Sequence, residues 1–384
     1  MSQNENLVPR PRGALADIRV LELSQNLAGP YCAQILAQLG ADVIKVERPE
    51  GDSARAWGPP FIDGQGSIFA AANHGKRSIA LDLDSDRDRT TLRALIERAD
   101  VLIESFRPGA FARMGFDYDT VRDWNRSLIY CSVLAYGERG PLRELPGYDP
   151  LMQAHAGLMS ITGDPHTRGA RVGTSVVDMG TGMWLVIAIM AALRERDAGG
   201  GGTRLSVSLY DTALAWNAYH ITGYLETGIV PRPMGSELPM IAPYGAFRTA
   251  DGEIMIAAAN DGLFRRLCGA LHMFEAADDS RFATNSDRVA HRAELNALLT
   301  ERTIEFTTDD LLTRLRASGV PGAPINDIER VCADEQTQAS EMIERNGGAT
   351  GLALPIRIAG ERSGAGSAPP RIGEHTRTIL AELD

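Results

Sequence analysis

One aspartate, Asp178, stands in the run Val176-Val177-Asp178-Met179-Gly180-Thr181-Gly182-Met183, between an apolar strand-like stretch and a long apolar helix. A carboxylate at a helix N-terminus feels the positive end of the helix dipole and free backbone N–H groups. It stays ionised, and the small residues around it leave room for an electrophile. Such a group can act as a covalent nucleophile. Asp before an apolar helix is more often a plain N-cap, and the run taken alone favours that reading. A second oddity concerns cations. Of 39 Lys and Arg residues only two are lysines, Lys45 and Lys76. Codon bias towards Arg explains most of this, yet a surviving lysine can mark a place that wants a compact ammonium rather than a guanidinium fork.

Composition bounds the rest. The chain has 384 residues, 44% of them hydrophobic, which is ample for two domains or one large domain with an insertion. A net charge of −11 argues against a general nucleic-acid binder. Cys32, Cys131, Cys268 and Cys332 show no CxxC spacing, and the seven histidines form no HExxH pattern, so neither a disulfide scaffold nor a metal site is expected. Leu185–Leu193 is apolar but too short to span a bilayer, and the polar N-terminus has no signal-peptide core. The expectation is a soluble cytoplasmic protein with no membrane and no nucleic-acid partner.

These residues need elements to hold them. Strand-like runs at Ile18–Leu23, Ala41–Glu47, Ser78–Leu83, Asp100–Ser105 and Ser127–Ser132 are interleaved with helical spacing at Gly29–Leu39 and Asp88–Glu97. This alternation predicts an α/β fold with a Rossmann-like, open parallel sheet in a large domain. Ligands in such sheets sit beyond the strand C-termini, so the loops after Leu23, Glu47 and Glu104 are the places to look. Gly199–Gly202 reads as a flexible turn before the strand Arg204–Leu209, since no GxGxxG or GxxxxGK[ST] occurs. An amphipathic stretch, Tyr210–Thr227, follows, and prolines at 231, 233, 239 and 243 mark a linker. A hairpin over Tyr244–Arg248 and Glu253–Ala259, turning at Asp251-Gly252, opens a smaller α+β domain. Helical stretches from Gly262 and Arg292, and at Thr308–Ser318, complete it. The expected boundaries are 1–228, 229–330 and a segment 331–384 that returns to the large domain.

Several motifs stand in order along the chain: Val20-Leu21-Glu22-Leu23-Ser24, Ala28-Gly29-Pro30-Tyr31-Cys32, and Leu39-Gly40-Ala41-Asp42-Val43-Ile44-Lys45-Val46-Glu47-Arg48-Pro49. Asn73-His74-Gly75-Lys76-Arg77-Ser78-Ile79, Phe106-Arg107-Pro108-Gly109, Arg113-Met114-Gly115-Phe116, Gly147-Tyr148-Asp149 and Gly373-Glu374-His375-Thr376 follow. Over nearly its whole length the sequence resembles the class III CoA-transferase family, the superfamily of formyl-CoA transferase, carnitine CoA-transferase and 2-methylacyl-CoA racemase. The resemblance implies that Asp178 is the nucleophile, carrying CoA as an aspartyl thioester. It implies that Arg48, Lys76, Arg113 and Met114 hold the CoA nucleotide, where Arg suits bidentate phosphate contact and Lys a point charge. CoA enters as co-substrate, with no further cofactor. The family's interlocked homodimer is the implied assembly.

Departures from the pattern narrow the chemistry. Formyl-CoA transferase has a His two residues before a Gln where this chain has Gln25 and Leu27. Gln25 can still donate to a carbonyl or anhydride oxygen and is a catalytic candidate. The glycine-rich loop of that enzyme is not recognisable, with Met234–Pro239 the candidate for its place, and formate and oxalate fit poorly. The racemase has a His where this chain has Tyr148, and a Glu at the position aligned with Asn260. Racemisation needs a base on each face of the α-carbon. Tyr, with an ordinary pKa of about 10, is a poor base at neutral pH, and Asn is none. CoA transfer between an acyl-CoA and a free acid is the leading expectation, with the racemase and a non-catalytic CoA-binding protein as alternatives. The segment Tyr244–Arg288 is similar to dicarboxylate transferases, so a short dicarboxylate such as succinate is favoured, with Arg248, Arg265 and Arg266 as possible counter-charges.

Overall fold

The computed structural model describes residues 13–166, 169–346 and 349–384. The polar N-terminal stretch before Gly13 lies outside them. The chain divides into two compact units, Met1–Leu158 with Val172–Thr222 and Gln336–Asp384, and Met159–Arg171 with Gly223–Glu335.

The first unit is built on six parallel strands: β1 (Arg19–Glu22), β2 (Asp42–Glu47), β3 (Arg77–Ala80), β4 (Val101–Glu104), β5 (Ile129–Leu134) and β6 (Arg204–Ser208), in the order β3-β2-β1-β4-β5-β6. The order reverses between β1 and β4, which is the switch point of a doubly wound sheet. The inner strands are buried on both faces, so their sequences read as continuous apolar runs. Alternate residues feed two cores. Val20, Val43, Ile103 and Cys131 pack with α1 (Ala28–Gln38), while Leu21, Ile44, Leu102 and Tyr130 pack with α2 (Asp86–Ile96) and the C-terminal Ile379.

Three more helices shape the sheet's C-terminal edge: α3 (Asp149–His155), α4 (Val176–Asp197) and α5 (Leu209–Trp216). The stretch before Asp178 is not a strand, and Ser175, not Asp178, is the N-cap, leaving Asp178 in the first turn of α4. The amphipathic stretch Tyr210–Thr227 forms two helical segments, Leu209–Trp216 and Ala218–Thr227, parted at Asn217, whose buried side chain donates to Ala156 O at 2.7 Å. One expectation is corrected outright. By length and composition α4, with 22 residues, is long and apolar enough to cross a membrane. Its helix starts well before the apolar run Leu185–Leu193, which alone looked too short. One side of it is packed into the core of the first unit, with Leu185, Ile189 and Leu193 buried.

The second unit has a three-stranded antiparallel sheet, β7 (Tyr244–Arg248), β8 (Glu253–Ala257) and β9 (Gly322–Pro324), ordered β9-β8-β7. The hairpin turns where expected, Thr249 N donating to Gly252 O. Phe247, Ile254 and Ile256 pack against Phe264, Leu295 and Leu311 of its helices. The fully buried Arg288 donates to Ala242 O, Phe282 O and Asp261 Oδ1, so its charge is met inside the unit.

Candidate active site

A cavity of about 520 Å³ opens beyond the C-terminal ends of β1, β4 and β5. Gln25 and Asn26 reach it from the loop after β1, Ser105 and Arg107 from the loop after β4, Trp57 from the segment after β2, and Tyr148 and Asp178 from α3 and α4. The switch point therefore lies beneath it, as the alternation of elements predicts. Trp57 and Tyr148 meet edge to face, ring centroids 6.5 Å apart.

Asp178 is half-buried on the cavity wall, one residue after the buried Val177. The N–H groups of the first turn of α4 are met from another helix. Asp149 Oδ2 accepts from Val177 N at 2.8 Å and from Asp178 N at 3.3 Å. Asp149 is 1% exposed and its Oδ1 accepts from Gln153 Nε2, so it is a rigid cap. Position along α4 is fixed by close packing on α1: a Cβ at Gly182 would stand 2.6 Å from Ala28 O and 3.1 Å from Cys32 N. Gly182 thus lets the N-termini of α1 and α4 converge on one cavity, while Gly180 makes room for the Trp216 ring.

Gln25 is half-buried, and its N–H donates to Ser105 Oγ at 3.1 Å. The next residue, Asn26, has φ 70°, a left-handed conformation that Asn tolerates. Its N–H donates to Asp52 Oδ1 at 3.2 Å and its Oδ1 accepts from Ser53 Oγ at 2.9 Å. Among the residues lining the cavity, the cationic ones are Arg107 and Arg143, both exposed. Arg143 pairs with Glu144 at 3.0 Å.

The residues expected at the CoA nucleotide separate into two groups. Arg48 and Arg113 are exposed, and Met114 is half-buried against the core beside Phe111 and Phe116. Arg48 Nε donates to Gly51 O at 3.2 Å. Lys76 is elsewhere: its ammonium is fully buried and donates to Glu22 Oε2, Asn73 Oδ1 and Pro30 O. All three donors of the ammonium are used, so in this structure Lys76 offers no charge to a phosphate, contrary to the expectation for it.

Three buried carboxylates that the sequence did not mark as functional close strands of the same sheet, and one of them, Glu22, holds this lysine. β1, β2 and β4 each end in a buried glutamate, Glu22, Glu47 and Glu104. A Glu closing an apolar strand is a signal that could have found them. Burial raises the Glu104 carboxyl above the usual range, against the Ser132 hydroxyl and the Phe106 N–H. Burial alone would raise Glu22 too, but Lys45, Lys76 and Ser24 outweigh it and hold it low. Glu47 is likewise held low, with Arg55, Lys45 and the Asp52 N–H overcoming its burial. Asn260, the position of the racemase base, accepts from Leu263 N at 2.9 Å as the N-cap of the helix Asp261–Ala270. Met234–Pro239 is pinned within the second unit, Asn296 and Arg292 both reaching Glu237.

The CoA-transferase family III model matches residues 15–376. The succinate–glutarate CoA-transferase of Agrobacterium fabrum is 41% identical over 389 residues, 98% of this chain and 97% of its own. The acetyl-CoA:oxalate CoA-transferase of Acetobacter aceti is 34% identical, over 99% and 98% of the two chains. Among solved structures, a CAIB/BAIF family protein from Brucella suis matches with a TM-score of 0.88 and 43% identity, covering 96% of this chain and 98% of its own. The chain belongs to CoA-transferase family III, and it is an enzyme that uses CoA thioesters as co-substrates.

Proposed function

We propose that this enzyme moves CoA from succinyl-CoA to a second short dicarboxylate through a thioester on Asp178. The observation that supports this most is the placement of Asp178: half-buried on the wall of the switch-point cavity, with its first-turn N–H groups already capped by Asp149.

The Asp178 carboxylate attacks the thioester carbonyl of the donor. The C–S bond breaks, giving an aspartyl–acyl anhydride and CoA thiolate. The thiolate attacks the aspartyl carbonyl, releasing the donor acid and leaving aspartyl-CoA. The acceptor carboxylate attacks this thioester and the steps run in reverse. Each tetrahedral intermediate carries an oxyanion, and Gln25, a side-chain amide on the cavity wall, donates to it. Water must be kept from both intermediates, which it would otherwise hydrolyse. The exposed Arg48 and Arg113, with Met114, serve the CoA nucleotide.

The dicarboxylate preference draws on the relatives named for succinate, glutarate and mesaconate. Arg107 and Arg143 line the cavity with Asp178 and supply the counter-charge for a second carboxylate. Arg248, Arg265 and Arg266 belong to the second unit. A panel of acceptors with succinyl-CoA as donor tests this. Glutarate and related diacids should outrun monocarboxylates of equal length by at least about tenfold in kcat/KM. Equal rates for both classes would refute the dicarboxylate assignment.

The working assembly is a homodimer. An apolar row on α4, Met183, Trp184, Ile187 and Met190, is exposed on the single chain beside Trp216. Such a row on a helix of this hydropathy is suited to burial against a second copy.

A further inference from the structure

Both lysines of the chain are buried on one carboxylate beneath the cavity. Lys76 Nζ donates to Glu22 Oε2 at 3.1 Å and to Pro30 O at 2.8 Å. Lys45 Nζ donates to Glu22 Oε1 at 3.2 Å and to Ser24 O at 3.0 Å, and lies 3.0 Å from Asp52 Oδ2. Glu22 also accepts from Ser24 Oγ at 2.5 Å. All four charged side chains, Lys45, Lys76, Glu22 and Asp52, have no solvent exposure. Buried ion clusters are seldom more stabilising than apolar packing of equal volume, so stability alone is a weak reason for this one.

What the ammoniums grip is main chain of the cavity wall. Ser24 O and Pro30 O stand at the two ends of a segment whose Gln25, Asn26, Leu27, Ala28 and Gly29 all line the cavity. Asp52, held by Lys45, accepts from Asn26 N, and its neighbour Ser53 holds the Asn26 side chain. Asn26 has positive φ, a conformation that persists only where its surroundings over-determine it. At Gly29 a Cβ would collide with Ser24 Oγ at 2.1 Å, so the segment folds back on itself without slack. A compact ammonium with three donors suits each position; a guanidinium fork is larger and planar.

We propose that Lys45 and Lys76 are positioning residues that hold the segment Ser24–Pro30, and through it Gln25, against Asp178 for the transfer step. This rests on the reading of Gln25 and Asp178 as parts of one reacting site. Small misplacements of a reacting group cost up to about a hundredfold in rate.

The test is a double-mutant cycle on the full-length enzyme with succinyl-CoA and glutarate. Lys45→Met should lower kcat at least about tenfold with KM for succinyl-CoA within about twofold. In a Gln25→Ala background the same change should cost less than about threefold, because the group it positions is gone. Equal losses in both backgrounds, or a loss confined to KM, would overturn the proposal. Should Lys45→Met fail to fold, Ser53→Ala removes only the hydroxyl that holds Asn26, and the same sub-additivity with Gln25→Ala is expected. If wild type transfers no CoA to any diacid, the reading of the site fails; if it transfers and the losses are additive, only the positioning role fails.

Discussion

Glu22 is met by two ammoniums in a fully buried place, and its titration follows from that. Its carboxyl is held below the usual range by Lys45, Lys76 and Ser24 against the opposing effect of burial. A carboxylate with a depressed folded-state pKa contributes stability that is present above its unfolded pKa, about 4.3, and lost as pH falls through the folded value. Glu47 adds in the same direction. Unfolding free energy from urea titrations should therefore hold from neutral pH to about 5 and fall below about pH 4. A profile unchanged from pH 5 to 3 would contradict this. Glu104 has the opposite sign: burial raises its carboxyl, so ionisation costs stability as pH rises past its unfolded value. Glu104→Gln keeps an acceptor for Phe106 N and should raise the melting temperature at pH 7 while leaving it little changed at pH 4.

At the scale of elements, Asp178 depends on α3 and α1. Asp149→Ala leaves the N–H groups of Val177 and Asp178 without their buried acceptor, and should cost roughly 1–3 kcal/mol. Transfer activity should fall as well, since the turn that carries the nucleophile loses its cap. A variant with wild-type melting temperature and rate would rule out this role. Gly182→Ala forces α4 away from α1 and should destabilise by roughly 1–3 kcal/mol, read by thermal or urea unfolding. The strands were readable in sequence because burial on both faces writes an uninterrupted apolar run, and β1, β2, β4 and β5 lie within two residues of the expected bounds. The capping of α4 was not readable: Asp149 and Asp178 are 29 residues apart, and nothing local says which carboxylate meets which helix. Lys76 shows the same limit. A phosphate-binding lysine and a buried one have the same motif, and only the fold shows Glu22 on the far side of it. Asp178 and Gln25, the two catalytic candidates of the sequence, line one cavity in the fold, Gln25 from the loop after β1 and Asp178 from the first turn of α4.

For the whole molecule, a helix apolar enough to cross a membrane must find cover on both sides. The sheet-facing side of α4 is buried, and Met183, Trp184, Ile187 and Met190 are not. In solution the 41.4 kDa chain should run at twice that mass by light scattering at micromolar concentration. Ile187→Glu should shift it towards the single-chain mass. A wild-type chain that stays at 41.4 kDa would contradict the dimer.

The most direct test is intact-protein mass spectrometry after mixing with succinyl-CoA, on wild type and Asp178→Ala. Wild type should gain a CoA-sized adduct that hydroxylamine releases, and the variant should gain none. An adduct on the variant, or transfer by the variant at the wild-type rate, would show that Asp178 is not the nucleophile.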